Sequence, residues 1–234
     1  MKYSNKTWRA CALCMLAALA MTTGCQNKPA ETADSTNAAT DSVVAESPLD
    51  NAVVRAIMDR RSVRKYKPEP VPKEMLDVIL HCGINAPNAM NEQRWEVRVT
   101  ESKAFIDGVT KVFVESAEND ERVKKMVENP DFHNMFRNAP TVIFVAGKAD
   151  EKSSPIDCGL LGENIMLAAQ SMGLGTCCLG SAAGFLNSNP GAANYLKQLA
   201  FSDGYELLYA IAIGYPDESP EAKPRDASKI RYIE

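Results

Sequence analysis

Apolar positions along the chain alternate between helical spacing and short, strand-like runs. Val53, Val54, Ile57 and Met58 share one face of a helix that Asp50 can cap. Ser62 to Tyr66 reads as extended, and the spacing of Pro68, Pro70 and Pro72 forces a non-helical connector. Pro72 suits the first turn of a second helix with Met75, Leu76, Ile79 and Leu80 inward. A loop around Pro87 leads to Trp95, Val97 and Val99, whose alternation with polar residues predicts a half-buried strand. Ser102 caps a helix carrying Phe105, Ile106, Val109, Val112 and Phe113, and the charge-rich stretch from Glu115 to Glu128 continues as a solvated helix. Thr141 to Ala146 is an apolar strand. Cys158, Leu161, Ile165, Ala168, Ala169 and Met172 line a long helix that ends at Gly173. Pro190 opens another helix through Leu199, and Glu206 to Ile213 is apolar at almost every position, as a central strand covered on both faces would be. Helices interspersed with separated strands predict a three-layer α+β or α/β domain over residues 50–234.

The pattern before residue 50 is different in kind. Lys2, Lys6 and Arg9 precede an apolar run from Ala10 to Met21 and the small residues Thr22, Thr23 and Gly24, the layout of an export signal. Twelve residues in a helix reach about 18 Å, short of the roughly 30 Å hydrocarbon core. Met21-Thr22-Thr23-Gly24-Cys25 resembles a bacterial lipoprotein box, with Cys25 the acylated residue; an ordinary signal peptide cut near this point is the simpler alternative. Residues 25–49 hold Pro29 and Pro48 with no aromatic residue, so they read as a tether with a flexible span of about 25–30 Å. The expectation is therefore a signal peptide over 1–24, a lipidated Cys25 with its tether, and a working domain at the membrane of the cell envelope.

Charge then excludes some functions. The 234 residues carry 26 Lys and Arg against 30 Asp and Glu, which leaves no basic footprint for general nucleic-acid binding. Seven cysteines are too few for a disulfide scaffold, although Cys82 and Cys158 could pair in an oxidising compartment. His81, among apolar helical residues, reads as a core or partly buried side chain, and His133 has no second ligand at zinc spacing, so no metal site is expected. Cys177 and Cys178 are vicinal rather than C-x-x-C and read as packed.

Four segments could carry chemistry. Arg60-Arg61-Ser62-Val63-Arg64 sets forked cationic donors beside a hydroxyl, a combination that suits a phosphate; alternatively these cations complement the C-terminal end of the first helix. The segment from Ala86 to Trp95 offers Asn and Gln amides able to read a polar ring edge, or is simply a turn. Gly173 to Ser181 reads as a loop whose backbone could approach a flat ligand closely. Lys223-Pro224-Arg225 is a basic tail segment.

In order and approximate spacing, these four segments resemble the nitroreductase family of FMN-dependent flavoenzymes. The resemblance covers about residues 50–234 and includes Arg60 to Tyr66, Asn91-Glu92-Gln93-Arg94-Trp95, Gly173-Leu174-Gly175-Thr176 and Ile213-Gly214-Tyr215-Pro216. It implies a three-layer fold with a central, mostly antiparallel sheet flanked by helices, and a homodimer with FMN at its interface. It assigns Arg60, Ser62 and Arg64, with Arg61 in the same segment, and Lys223 and Arg225 to an FMN clamp. Asn91 would contact the flavin ring, Pro87 and Asn88 the flavin of the other subunit, and Leu179, Gly180 and Ser181 its reactive edge. The family commonly has Pro where this chain has Arg94, a cation expected to alter the entrance or to favour an acidic acceptor.

The implied activity is reduction of nitroaromatics, quinones or similar small oxidised compounds through bound flavin, without an obligatory protein nucleophile. A flavin-binding or interaction lipoprotein without turnover, and a dehalogenase or flavin-destructase branch of the fold, are the alternatives. Export would replace nicotinamide nucleotides by a membrane-bound donor such as a quinol or another flavoprotein.

Overall fold

The computed structural model describes residues 51–233; the expected export signal, lipidated Cys25 and tether lie outside the described residues. Four strands, β1 (Trp95–Thr100), β2 (Thr141–Lys148), β3 (Gly175–Leu179) and β4 (Tyr205–Gly214), form an antiparallel sheet in the order β1-β2-β4-β3. The near-continuous apolar runs of β2 and β4 place them at the centre, where both faces must be covered.

Alternation along these two strands creates two separate cores. Val142 and Phe144 of β2 and Ala210 and Ala212 of β4 face one layer, which holds α3 (Lys103–Glu115), α6 (Gly180–Ser188) and α7 (Ala193–Gln198). Ile143 and Val145, with Ile211 and Ile213, face the other layer, made of α2 (Lys73–Ile84) and α5 (Ser154–Ser171). Phe144 is locked edge-on between Phe105 and Phe136, with ring centroids 5.8 and 5.7 Å away. Leu161 and Ile165 of α5 are fully buried, each contributing about 1.5–3 kcal/mol over an exposed position. The expected three-layer α+β architecture is thus present.

Several local expectations are corrected. Asn51 caps α1 (Ala52–Asp59), its Oδ1 accepting from Val53 and Val54 N–H at 3.0 and 3.1 Å, one residue after the expected Asp50. The apolar face of α1 is not buried in this chain: Val53, Ile57 and Met58 are all more than half exposed. The solvated helix after Glu115 is broken, because Asp120 adopts extended backbone and caps a separate α4 (Glu121–Val127). Gly173 to Ser181 is not a loop. Gly173 (φ 76°) closes α5 in left-handed backbone, and β3 and the start of α6 follow. His81 is exposed rather than buried, its Nδ1 2.7 Å from the Asp77 carbonyl oxygen. Cys82 and Cys158 are free thiols, not a pair.

Candidate functional site

At Arg60 the backbone leaves α1 in extended conformation, and the next residues run along the outer edge of β3. Ser62 bridges Thr176 in parallel, with Val63 N–H donating to Thr176 O at 2.9 Å. Lys67 N–H then donates to Tyr215 O, and Asp217 N–H to Lys65 O, both at 2.9 Å, tying the segment to the chain beyond β4. Val63 and Tyr66 are buried by this pairing, and the Tyr66 hydroxyl donates to Val63 O at 2.6 Å. Gly175 makes the approach possible: a Cβ there would stand 2.8 Å from Val63 Cβ.

The pairing holds the polar positions of the segment outward, where the returning C-terminal chain meets them. Arg60, Arg61, Ser62 and Arg64 share a cavity of about 120 Å³ with Pro220, Glu221, Lys223 and Arg225. Five cations and one carboxylate line it. Arg60 is bound only loosely by protein, its Nε 3.8 Å from Glu163 Oε1 on α5. Arg64 Nη1 donates to Ser62 O at 2.9 Å and Arg225 Nη1 to Lys223 O at 3.3 Å, so each guanidinium keeps further donors. Arg61 differs: its Nη1 donates to the Met58 and Arg60 carbonyls at 2.6 and 2.9 Å, which satisfies the C-terminal end of α1. The phosphate reading thus fits Arg60, Ser62, Arg64, Lys223 and Arg225, and the helix-end reading fits Arg61.

The segment between α2 and β1 forms a second, separate cluster. Met90, Asn91 and Gln93 all have left-handed backbone (φ 55°, 54° and 49°), each at about 1–2 kcal/mol for a residue with a side chain. The side chains of Asn88, Asp157, Arg94 and Ser154 hold the strained loop, Ser154 Oγ donating to the Arg94 carbonyl at 3.0 Å. Asn88 Oδ1 accepts from Gln93 N–H at 2.9 Å, and Asp157 Oδ1, in the first turn of α5, accepts from Ala89 N–H at 3.2 Å. Arg94, whose side chain is 17% exposed, pairs with Glu92 and with Glu151 at 3.2 Å and donates to Ser153 Oγ at 3.0 Å. Its charge is therefore paired with one carboxylate of the loop and one that precedes α5. Pro87 and Asn91 are exposed and Asn88 is half-buried.

Leu179 ends β3 buried, whereas Gly180 and Ser181 open α6 on the surface. No side chain caps α6, and nothing stands within 4 Å of the Cβ position at Gly180. The first-turn N–H groups therefore have no side-chain acceptor. Neither neighbouring thiol is activated. Burial raises the Cys177 thiol; Cys178 is exposed rather than packed as expected, and partial desolvation and neighbouring Cys177 raise it too, the nearby arginines offsetting this only in part. Among the described residues no group of three or more His, Cys, Asp or Glu could hold a metal.

Pro87, Asn88, Asn91, Leu179, Gly180 and Ser181 do not line the Arg60–Arg225 cavity. Helix α5 relates the two clusters: Asp157 touches the Ala89 loop and Glu163 touches Arg60, and six helical residues span about 9 Å. Asp157 is the residue that sequence reasoning missed. In the sequence it is one carboxylate near a helix start, a position that ordinarily complements the helix dipole.

Comparison with known proteins gives this geometry a context. The model of the nitroreductase family matches residues 57–215. The chain is 29% identical over 186 residues to an NADPH-flavin oxidoreductase of Vibrio harveyi, covering 75% of this chain and 70% of that protein. It is 25% identical over 203 residues to a 4-nitrobenzoate reductase of Pseudomonas putida, covering 70% and 85% respectively. A nitroreductase with bound FMN from Desulfitobacterium hafniense DCB-2 has the same fold, with TM-score 0.72 and 27% identity over 79% of this chain and all of that one. With the family match running from α1 to the residue after β4, and the opening arginines, the Asn91 loop and the β3–α6 junction all inside it, this chain belongs to the nitroreductase family.

Proposed function

We propose that this protein is an FMN-dependent oxidoreductase that reduces nitroaromatics, quinones or similar small oxidised compounds. The observation that carries the reading is the cavity in which Arg60, Ser62 and Arg64 meet Lys223 and Arg225. Its donor set fits a phosphate monoester, since forked guanidiniums bind phosphate oxygens in pairs and the serine adds a neutral donor. Those five residues would hold the FMN phosphate, with Arg61 fixing the helix end beside them. Asn91 and the amides of Gly180 and Ser181, beside Leu179, would serve the ring, and Pro87 and Asn88 the ring bound to the partner subunit. Bound FMN supplies the reversible two-electron chemistry; the protein binds it, orients it and leaves one face open to donor and acceptor in turn.

A homodimer accounts for the apolar surface. Val53, Ile57 and Met58 on α1, Val78 and Ile84 on α2, and Ile156 and Leu160 on α5 are all exposed, on helices of which α1 and α2 both pack against α5. Such a surface in one chain marks an interaction face. The sequence before residue 50 supports placing this dimer in the cell envelope, tethered through lipid on Cys25. Fractionation of wild type and Cys25→Ala tests that placement, and membrane residence independent of Cys25 overturns it. Stopped-flow reduction by NADPH, against a quinol, identifies the donor.

The central test is reconstitution. Protein with added FMN should turn yellow and retain the flavin through gel filtration. Arg60→Ala and Arg225→Ala should each lose about 1.5–3 kcal/mol of FMN binding, the range for hydrogen bonds to charged groups. A colourless protein, or a double variant with unchanged affinity, overturns the reading.

A further inference from the structure

Among the described residues, the Asp157 carboxylate holds the one buried side-chain oxygen or nitrogen without a hydrogen-bond partner. The residue is only 4% exposed, and of its two oxygens Oδ1 accepts a single backbone N–H, that of Ala89. Oδ2 is buried with no hydrogen-bond partner. A buried acceptor without a partner is unfavourable, and for a carboxylate more so than for a neutral group. The start of α5 offsets part of this, because a negative charge in a first turn complements the helix dipole. That field acts on both oxygens and does not explain why one of them is left without a donor.

The place of the open oxygen gives it a meaning. The sole donor to Asp157 lies in the same turn as Asn91, and three of the four residues from Met90 to Gln93 hold left-handed backbone. The other ties of that loop are local, from Asn88, or join Arg94 to Glu151, Ser153 and, through Ser154 Oγ donating to the Arg94 carbonyl at 3.0 Å, to the start of α5. Ser154 holds the end of the loop at Arg94, and Asp157 is the buried link from α5 to the turn that carries Asn91. We infer that Asp157 is a positioning residue for the flavin-contacting loop: Oδ1 fixes Ala89, and Oδ2 is the acceptor for an N–H or O–H donor that reaches it when the loop seats on bound flavin. The inference rests on the FMN reading above and adds to it a residue that acts through the loop.

The two oxygens can be tested separately. In Asp157→Asn the carbonyl oxygen can still accept from Ala89, but the position of Oδ2 becomes an NH2 group that cannot accept. Asp157→Ala removes both contacts. Full-length wild type, Asp157→Asn and Asp157→Ala are compared by thermal unfolding without flavin, by FMN affinity from fluorescence quenching, and by visible circular dichroism of the bound flavin. Asp157→Asn is expected to keep wild-type stability without flavin, because Oδ2 has no protein partner to lose, and to bind FMN about tenfold more weakly with an altered flavin spectrum. Asp157→Ala should bind more weakly still. FMN affinity within twofold of wild type in Asp157→Asn overturns the role of the open oxygen. A loss of flavin-free stability that parallels the loss of affinity in both variants reduces Asp157 to a structural residue and also overturns the inference. Failure of wild type to bind FMN removes the functional reading itself, a result distinct from either.

Discussion

Replacing Gly175 by Ala isolates the contact that seats the arginine-rich segment from Arg60 to Arg64. The added Cβ would lie 2.8 Å from Val63 Cβ and Cγ2 and 2.9 Å from Cγ1. Carbon atoms pack best at about 3.5–4.0 Å, so the two backbones must part by roughly 0.7–1.2 Å. The first bond to suffer is Val63 N–H to Thr176 O, now 2.9 Å, and with it the Ser62–Thr176 bridge. Overpacking of this kind costs about 1–3 kcal/mol and a lost hydrogen bond about 1, so a destabilisation of about 2–4 kcal/mol is expected. For a domain of this size that lowers Tm by about 4–16 °C. Urea unfolding with an unchanged m-value would measure it, and FMN affinity should fall in parallel, because Ser62 and Arg64 flank the displaced residue. A second substitution sharpens the test. Val63→Ala keeps its own Cβ and should not relieve the clash, whereas Val63→Gly should, giving a favourable coupling in the double-mutant cycle. Stability of Gly175→Ala within about 0.5 kcal/mol of wild type would refute the reasoning.

Three further expectations are simpler. Arg94→Ala should cost about 1 kcal/mol, since the carboxylates it leaves behind are partly solvated, and should speed proteolytic cleavage between residues 88 and 94; equal cleavage rates would count against Arg94 as a loop clasp. Ile57→Asp, on the exposed face of α1, should leave the secondary structure intact but shift sedimentation toward the monomer, and an unchanged dimer would remove α1 from the interface. Burial pushes the Cys158 thiol from an ordinary 9.0 up to about 11, so its contribution to stability is full below pH 9 and is lost as pH rises toward 11; the stability of Cys158→Ala should fall less steeply between pH 9 and 10.5, and an identical slope would refute the assignment.

Legibility in the sequence followed the size of the side chains. Strands β1, β2 and β4 and helices α2, α3 and α5 could be read because bulky residues such as Trp95, Phe144, Leu161 and Ile211 mark their buried faces. β3 and α6 could not, because Gly175 to Gly184 is mostly glycine, alanine, cysteine and serine, whose burial leaves little periodic contrast. The helical period of α1 was legible, but not what its apolar face meets. In the site, the arginines announced themselves through charge density within five residues. Asp157 did not, because its oddity is an unsatisfied oxygen, a property that exists only once Ala89 and α5 have met.

The docking of the opening segment on β3 has a consequence beyond ligand binding. β3 is the last strand of its sheet, and without residues 62–66 its outer N–H and C=O groups would be free to recruit a strand from another molecule. A single parallel bridge and the buried Val63 side chain stand between the folded sheet and that association. The segment proposed to hold the FMN phosphate would therefore also guard the molecule's solubility, so that variants loosening it, Gly175→Ala first among them, should show concentration-dependent light scattering before they unfold, and added FMN should suppress it.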